Sequence, residues 1–92
     1  MTEAEAELIA IRALGWLATD DELWPVFLGA SGLAPNDLRN AAQDIVFLAG
    51  VLDFLTQDDA WVIAFCEGAG LAFDTPLAAR RALPGGAEIN WT

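Results

Sequence analysis

The chain contains no histidine, no lysine and no tyrosine, and it has a single cysteine. Each absence removes a chemistry. Without histidine there is no imidazole base and no imidazole metal ligand. Without lysine there is no Schiff-base nucleophile. One cysteine cannot form an internal disulfide or a thiolate cluster, so nothing calls for an oxidising compartment. Basic residues are scarce: four Arg stand against fourteen Asp and Glu, giving a net charge of −10. Nucleic-acid phosphates are held by clustered Lys and Arg, so nucleic-acid binding is disfavoured. The same field repels anionic membrane surfaces, while basic partners stay compatible with it. Long apolar runs are also missing. Ile45–Leu52 carries no charge, but it falls far short of the ~20 residues that span a bilayer. The opening "MTEAEAE" is acidic, whereas a secretory signal is basic and then apolar. The expectation is a cytoplasmic protein that needs no metal and no cofactor.

Core material is plentiful. Apolar residues make up 55% of the 92 residues, with four Trp and five Phe, and charged residues only 20%. A chain of this size buries only ~60–65% of its unfolded surface, so packing quality matters. One helical domain over residues 1–83 is expected, followed by a C-terminal tail, 84–92, that is mobile unless Ile89 and Trp91 dock.

Period-two alternation is absent and helix punctuation is frequent, so the fold class expected is all-α, a compact bundle of five to six short helices. Glu3 to about Ala18 reads as a first helix with acids in its opening turns, where the helix dipole favours them. Leu8, Ile11, Leu14 and Leu17 are expected to face inward. "TDDE" restarts the chain for a second helix, about Asp21–Ala30. Thr19 and Glu22 have capping-box spacing, and Gly32 suits a left-handed ending. Pro35 opens a short third helix to about Ala42. Asp44 caps a fourth, Ile45–Thr56, whose "IVFLAGVLDFL" is apolar almost all round and belongs at the centre. Gly50 inside it calls for a close helix contact to offset its cost. Asp58 caps a fifth helix, about Asp59–Gly68, ended by Gly70. Thr75 followed by Pro76 opens a sixth, to about Leu83.

One phrase is written twice. "LGWLATDDELWPVFLGASGLA", Leu14–Ala34, returns at a shift of 38 as "LDFLTQDDAWVIAFCEGAGLA", Leu52–Ala72, with eight identities in twenty-one positions. Average residue frequencies give ~1–2. Trp16 meets Phe54 and Phe27 meets Phe65. After three inserted residues Arg39 meets Arg80. The echo predicts two pseudo-repeated three-helix units, about 3–42 and 44–83, related by a pseudo-twofold. Duplication and convergent helix punctuation both account for it.

"FLAGVLDFLTQDDAWVIAFCEGAGL", Phe47–Leu71, resembles the core signature of a small bacterial family known only as a domain of unknown function. "FLGASGLAPNDLR", Phe27–Arg39, is similar to its upstream half. The resemblance implies a short, mostly helical protein. It supplies no activity, cofactor or catalytic residue.

Candidate functional residues have structural readings beside them. Asp20–Asp21 and Asp58–Asp59 are paired carboxylates that could share a proton or hold a hard cation. Each pair also sits where a helix starts, and capping is the reading adopted, together with Gly32, Gly70 and Thr75 as caps. Cys66 has no nearby base in the chain to activate it and reads as a buried thiol. Arg39, Arg80 and Arg81 lie toward helix C-termini, which cations favour without any ligand. They could also form an anion site. Trp24 and Trp91 are candidates for a recognition surface, since Trp is enriched at binding hot spots. "GASG" and "GAG" end helices, whereas phosphate cradles open them. The function expected is a non-enzymatic acidic domain acting through a protein partner or self-association. The alternative is a small-ligand site in the groove between the two repeats, lined by aromatics and Arg39/Arg80.

Overall fold

Thr2 and Glu5 close a capping box: the Thr2 N–H donates to Glu5 Oε1 at 2.8 Å and the Glu5 N–H donates to Thr2 Oγ1 at 3.1 Å. They start α1, Glu3–Ala18, in the computed structural model, which describes residues 1–84. A T-x-x-E pattern is the sequence signature of that box. The remaining helices are α2 (Leu23–Ser31), α3 (Leu38–Ala41, entered through a 3-10 turn at Pro35–Asp37), α4 (Ile45–Leu55), α5 (Asp59–Ala69) and α6 (Thr75–Ala82). The described residues contain no strand.

Most helix limits follow from local chemistry. Asp44 Oδ1 accepts from the Val46 N–H at 2.9 Å and Asp58 Oδ1 from the Ala60 N–H at 2.8 Å. Each satisfies an amide that the first helical turn leaves without a partner. Gly32 and Gly70 end α2 and α5 at φ of 70° and 71°, a left-handed geometry that costs other residues ~1–2 kcal/mol. Three expectations need correction. Asp20, not Asp21, serves α2: its Oδ1 accepts from both the Glu22 and Leu23 N–H groups at 2.9 Å, and Asp21 is simply exposed. The Thr19–Glu22 box does not form, because the Thr19 hydroxyl donates backward to the Trp16 carbonyl at 2.8 Å. Thr75 and Asp59 lie inside their helices, as the first residues of α6 and α5, with Asp74 and Asp58 in the capping positions.

The inner face of α1 is made by Ala6, Ala10, Ala13, Leu14 and Leu17, all buried. Leu8 and Ile11 face out, 62% and 43% exposed, contrary to the expectation. The reason is angular. Three residues turn a helix by ~300°, so each i+3 step slips back by ~60° and three such steps spiral around half the cylinder. The true face follows the alternating 4-3-4 step of 6, 10, 13 and 17. Its alanines let neighbouring helices approach closely. α4 and α6 pack there and against each other, and α2 and α5 flank α1.

α4 is central, as expected: Leu48, Ala49, Val51, Leu52, Phe54 and Leu55 are buried. Truncating any one of the buried leucines to Ala should cost ~2–5 kcal/mol. One stripe of α4 stays open, where Val46, Gly50 and Asp53 are exposed. The Cα radius of gyration is 12.4 Å, against the ~12 Å of a folded chain this long. The two halves are matched in punctuation but not in their third helices. α6 buries Pro76 and Ala79 between α1 and α4, whereas four-residue α3 buries nothing. The two halves therefore differ in how their third helices pack.

Candidate functional site

The second helix of each half lays a phenylalanine edge-on against an aromatic ring from the first helix of the other half. Phe27 of α2 meets Phe54 of α4 with centroids 5.3 Å apart. Phe65 of α5 meets Trp16 of α1 at 6.0 Å. The shift of 38 exchanges these two pairs. Edge-to-face contacts of this kind add ~0.5–1.5 kcal/mol to area burial.

A groove lies beside each pair. One, of about 200 Å³, is lined by Arg12, Trp16, Phe65, Gly68 and Ala69. The other, of about 290 Å³, includes Gly50, Phe54, Phe27, Ala30 and Ser31. At the shift of 38 those five residues correspond in turn to the five of the first groove. Phe47, Asp53 and Gln57 extend the second one.

The decisive difference is at one position. Arg12 extends from α1 and its Nη2 donates to the Ala69 carbonyl at 2.9 Å. Ala69 is the last residue of α5. Terminal carbonyls lack intrahelical donors and carry the negative end of the helix dipole, so a guanidinium is well placed there. The corresponding position on α4 is Gly50. A Cβ built on Gly50 meets nothing within 4 Å. The expected close helix contact is thus absent, and the glycine opens the groove instead. At the end of α2 the Ser31 carbonyl is likewise left without an intrahelical donor, because the chain turns left-handed at Gly32. No described side chain donates to it as Arg12 does to Ala69.

The open groove has aromatic walls held by further stacking. Trp24 stacks on Phe27 at 5.7 Å, Phe47 meets Phe27 edge-on at 6.0 Å, and Trp61 stacks on Phe54 at 5.0 Å. Asp53 stands on the rim. Its Oδ1 accepts from Arg80 Nε at 2.6 Å, and Arg80 Nη1 also donates to the Pro84 carbonyl at 3.1 Å.

The sequence candidates are dispersed. Trp24 is half-buried in the aromatic stack and is not a projecting ring. Trp91 lies outside the described residues, as does all of the tail beyond Pro84. Arg80 ties α6 to α4, and Arg81 is exposed at the end of α6. Arg39 is exposed beside a shallow hollow shared with Ile11, Leu14 and Gly15 of α1. Arg39 and Arg80 therefore do not converge, and neither lines the aromatic groove. Cys66 is fully buried and its Sγ donates to the Ala72 carbonyl at 3.4 Å. Burial, with the Asp74 charge second, pushes its thiol pKa up. No group of three or more His, Cys, Asp or Glu able to hold a metal occurs among the described residues. Sequence reasoning missed Arg12, Gly50 and Asp53. The signal was the repeat itself, carried two residues upstream, where a large cation faces a glycine.

A second surface runs along the outside of α1. Ala4, Leu8, Ile11, Gly15 and Ala18 share one face, all exposed, and Met1 precedes them at 56% exposure. No helix among the described residues is long and apolar enough to cross a membrane.

The fold and its grooves define a small all-α domain. A family model described as a protein of unknown function, DUF3572, matches residues 3–86, and the chain belongs to that family. No curated protein and no solved structure matches it.

Proposed function

We propose that the chain is a non-catalytic domain of the cytoplasm that works through protein–protein contact. The observation that carries this reading is the outer face of α1. Leu8 and Ile11 stand one turn apart, 62% and 43% exposed, on a stripe with no charged residue. Contiguous exposed apolar surface on a small domain marks an interaction site. A photo-crosslinking residue placed at Leu8 should capture a protein in the cells that make this chain, and the same residue placed at Glu67 should not. Equal capture from both positions would sink the reading.

The aromatic groove favours a second reading, a small apolar ligand held between α2 and α4. Its volume, about 290 Å³, lies at the lower end of ligand sites. Fragment screening by ligand-observed NMR tests it. Hits should vanish in Gly50→Leu, whose side chain enters the groove. Hits that survive this change bind elsewhere.

A further inference from the structure

We infer that the groove between α2 and α4 receives an arginine side chain from a protein partner. The inference stands apart from the α1 surface, because it rests on a comparison the chain makes with itself. In the groove beside Trp16 and Phe65, the molecule's own Arg12 lines the wall with the two aromatic residues and ends on the last carbonyl of a helix. In the groove beside Phe54 and Phe27 the five positions correspond one for one, and the guanidinium that lines the first is missing at Gly50.

What the second groove offers matches a guanidinium on several counts. Its walls include three phenylalanines, Phe27, Phe47 and Phe54, and the face of an aromatic ring attracts a guanidinium through its quadrupole. Its end is the C-terminus of α2, where the Ser31 carbonyl lies past the last intrahelical hydrogen bond, because the chain turns left-handed at Gly32. Its rim carries Asp53. Oδ1 of Asp53 holds Arg80, and Oδ2 makes no hydrogen bond to a described residue. Gln57, also exposed on the rim, adds an amide oxygen. Arg is planar with five donors, so it can meet a carbonyl and a carboxylate together; Lys carries a more strongly hydrated point charge and stacks less well. The surrounding field agrees: a net charge of −10 draws basic segments in and raises their association rate. A partner loop or helix end presenting one arginine is the occupant this chemistry selects.

The test uses the intact protein and a capped Gly-Arg-Gly tripeptide, titrated to millimolar concentration while backbone amides are followed by NMR. The expected result is saturable shifts at Ser31, Gly50, Asp53 and Gln57. The lysine tripeptide should bind several-fold more weakly. The citrulline tripeptide, which keeps the shape and loses the charge, should bind at least ~10-fold more weakly, a difference of ~1.4 kcal/mol. Gly50→Arg should fill the groove from within, abolish the shifts and raise the melting temperature. Asp53→Asn should weaken the arginine peptide several-fold while leaving the fold intact by circular dichroism. Equal affinity for the arginine and citrulline peptides would overturn the inference. So would shifts that cluster away from the groove, no shifts at all, or Asp53→Asn binding as the wild type does. A small apolar ligand found in the groove with no arginine binding would leave the second reading above standing and this one refuted.

Discussion

Gly50→Ala should stabilise the protein. Gly50 lies in the middle of the central helix, is exposed, and has ordinary helical backbone, since the positive-φ residues among those described are Gly32 and Gly70. A Cβ there meets nothing within 4 Å, so no steric cost opposes the gain. The gain comes from the unfolded state, where alanine has less backbone freedom to lose, and is ~0.5–1 kcal/mol. For a domain of this size each kcal/mol moves the melting temperature by ~4–8 °C, so a rise of ~2–8 °C is expected. Gly70→Ala supplies the opposite sign. Its Cβ also meets nothing within 4 Å, yet φ is 71°, and a left-handed alanine costs ~1–2 kcal/mol. Thermal and urea unfolding followed by circular dichroism measure both. Each substitution adds one methyl group to open space, so backbone geometry sets the sign of its effect. If Gly50→Ala lowered the midpoint, or both variants moved it equally, the account of an unfilled groove floor would fail.

Asp20→Ala should cost ~1 kcal/mol, because its carboxylate serves two amides of α2, while Asp21→Ala should stay within ~0.5 kcal/mol; equal effects in urea unfolding would contradict the capping assignment. The Glu5 carboxyl is held below its ordinary pKa of 4.5, first by the Thr2 backbone N–H and then by the Thr2 hydroxyl. A lowered acid contributes stability above its unfolded pKa that is lost as pH falls through the folded one. Glu5→Gln should therefore flatten the acid limb of the stability curve, and an unchanged limb would refute it. The Cys66 thiol is raised above its ordinary value of 9.0, so its contribution is present below that value and is lost as pH rises through the folded pKa. It should react with a disulfide reagent far more slowly in buffer than in urea, and equal rates would contradict its burial. Self-repulsion at a net charge of −10 is screened by salt, so the melting temperature should rise modestly with added sodium chloride; a steady fall would mean that ion pairs dominate.

The parts of the fold that could be read from sequence are those whose causes are local. Asp44, Asp58, Gly32 and Gly70 act on amides and carbonyls a few residues away, so their spacing carries the whole signal. Asp20 against Asp21 was ambiguous for the same reason: both stand within reach of the same turn, and only the backbone's approach selects one. The buried face of α1 was hidden because Ala6, Ala10 and Ala13 carry almost no hydropathic contrast, while Leu8 and Ile11, which carry much, face out. Burial there is decided by how closely α4 and α6 approach, which is a property of three helices together. The site was hidden differently. Arg12 reads as an ordinary surface cation and Gly50 as a helix defect until the echo places them at one position. Even then, the sequence does not reveal that rings from α2 and α4 make the walls.

An open groove is weak evidence of use when taken alone, because natural proteins seldom sit at their stability optimum. What gives this groove weight is that the molecule already contains the means of closing it. A single change at Gly50 to arginine would supply a better helix former, a side chain beside the half-buried Phe47 ring, and a donor for the terminal carbonyl of α2. The other half of the chain carries that very arrangement at Arg12. If openness were neutral, closing the groove should improve stability and change nothing else. If openness serves a partner, the same substitution should stabilise the protein and silence its binding. Measuring melting temperature and tripeptide affinity on Gly50→Arg therefore separates a packing defect from a receptor. A variant that is more stable and still binds the peptide as the wild type does would leave only the defect.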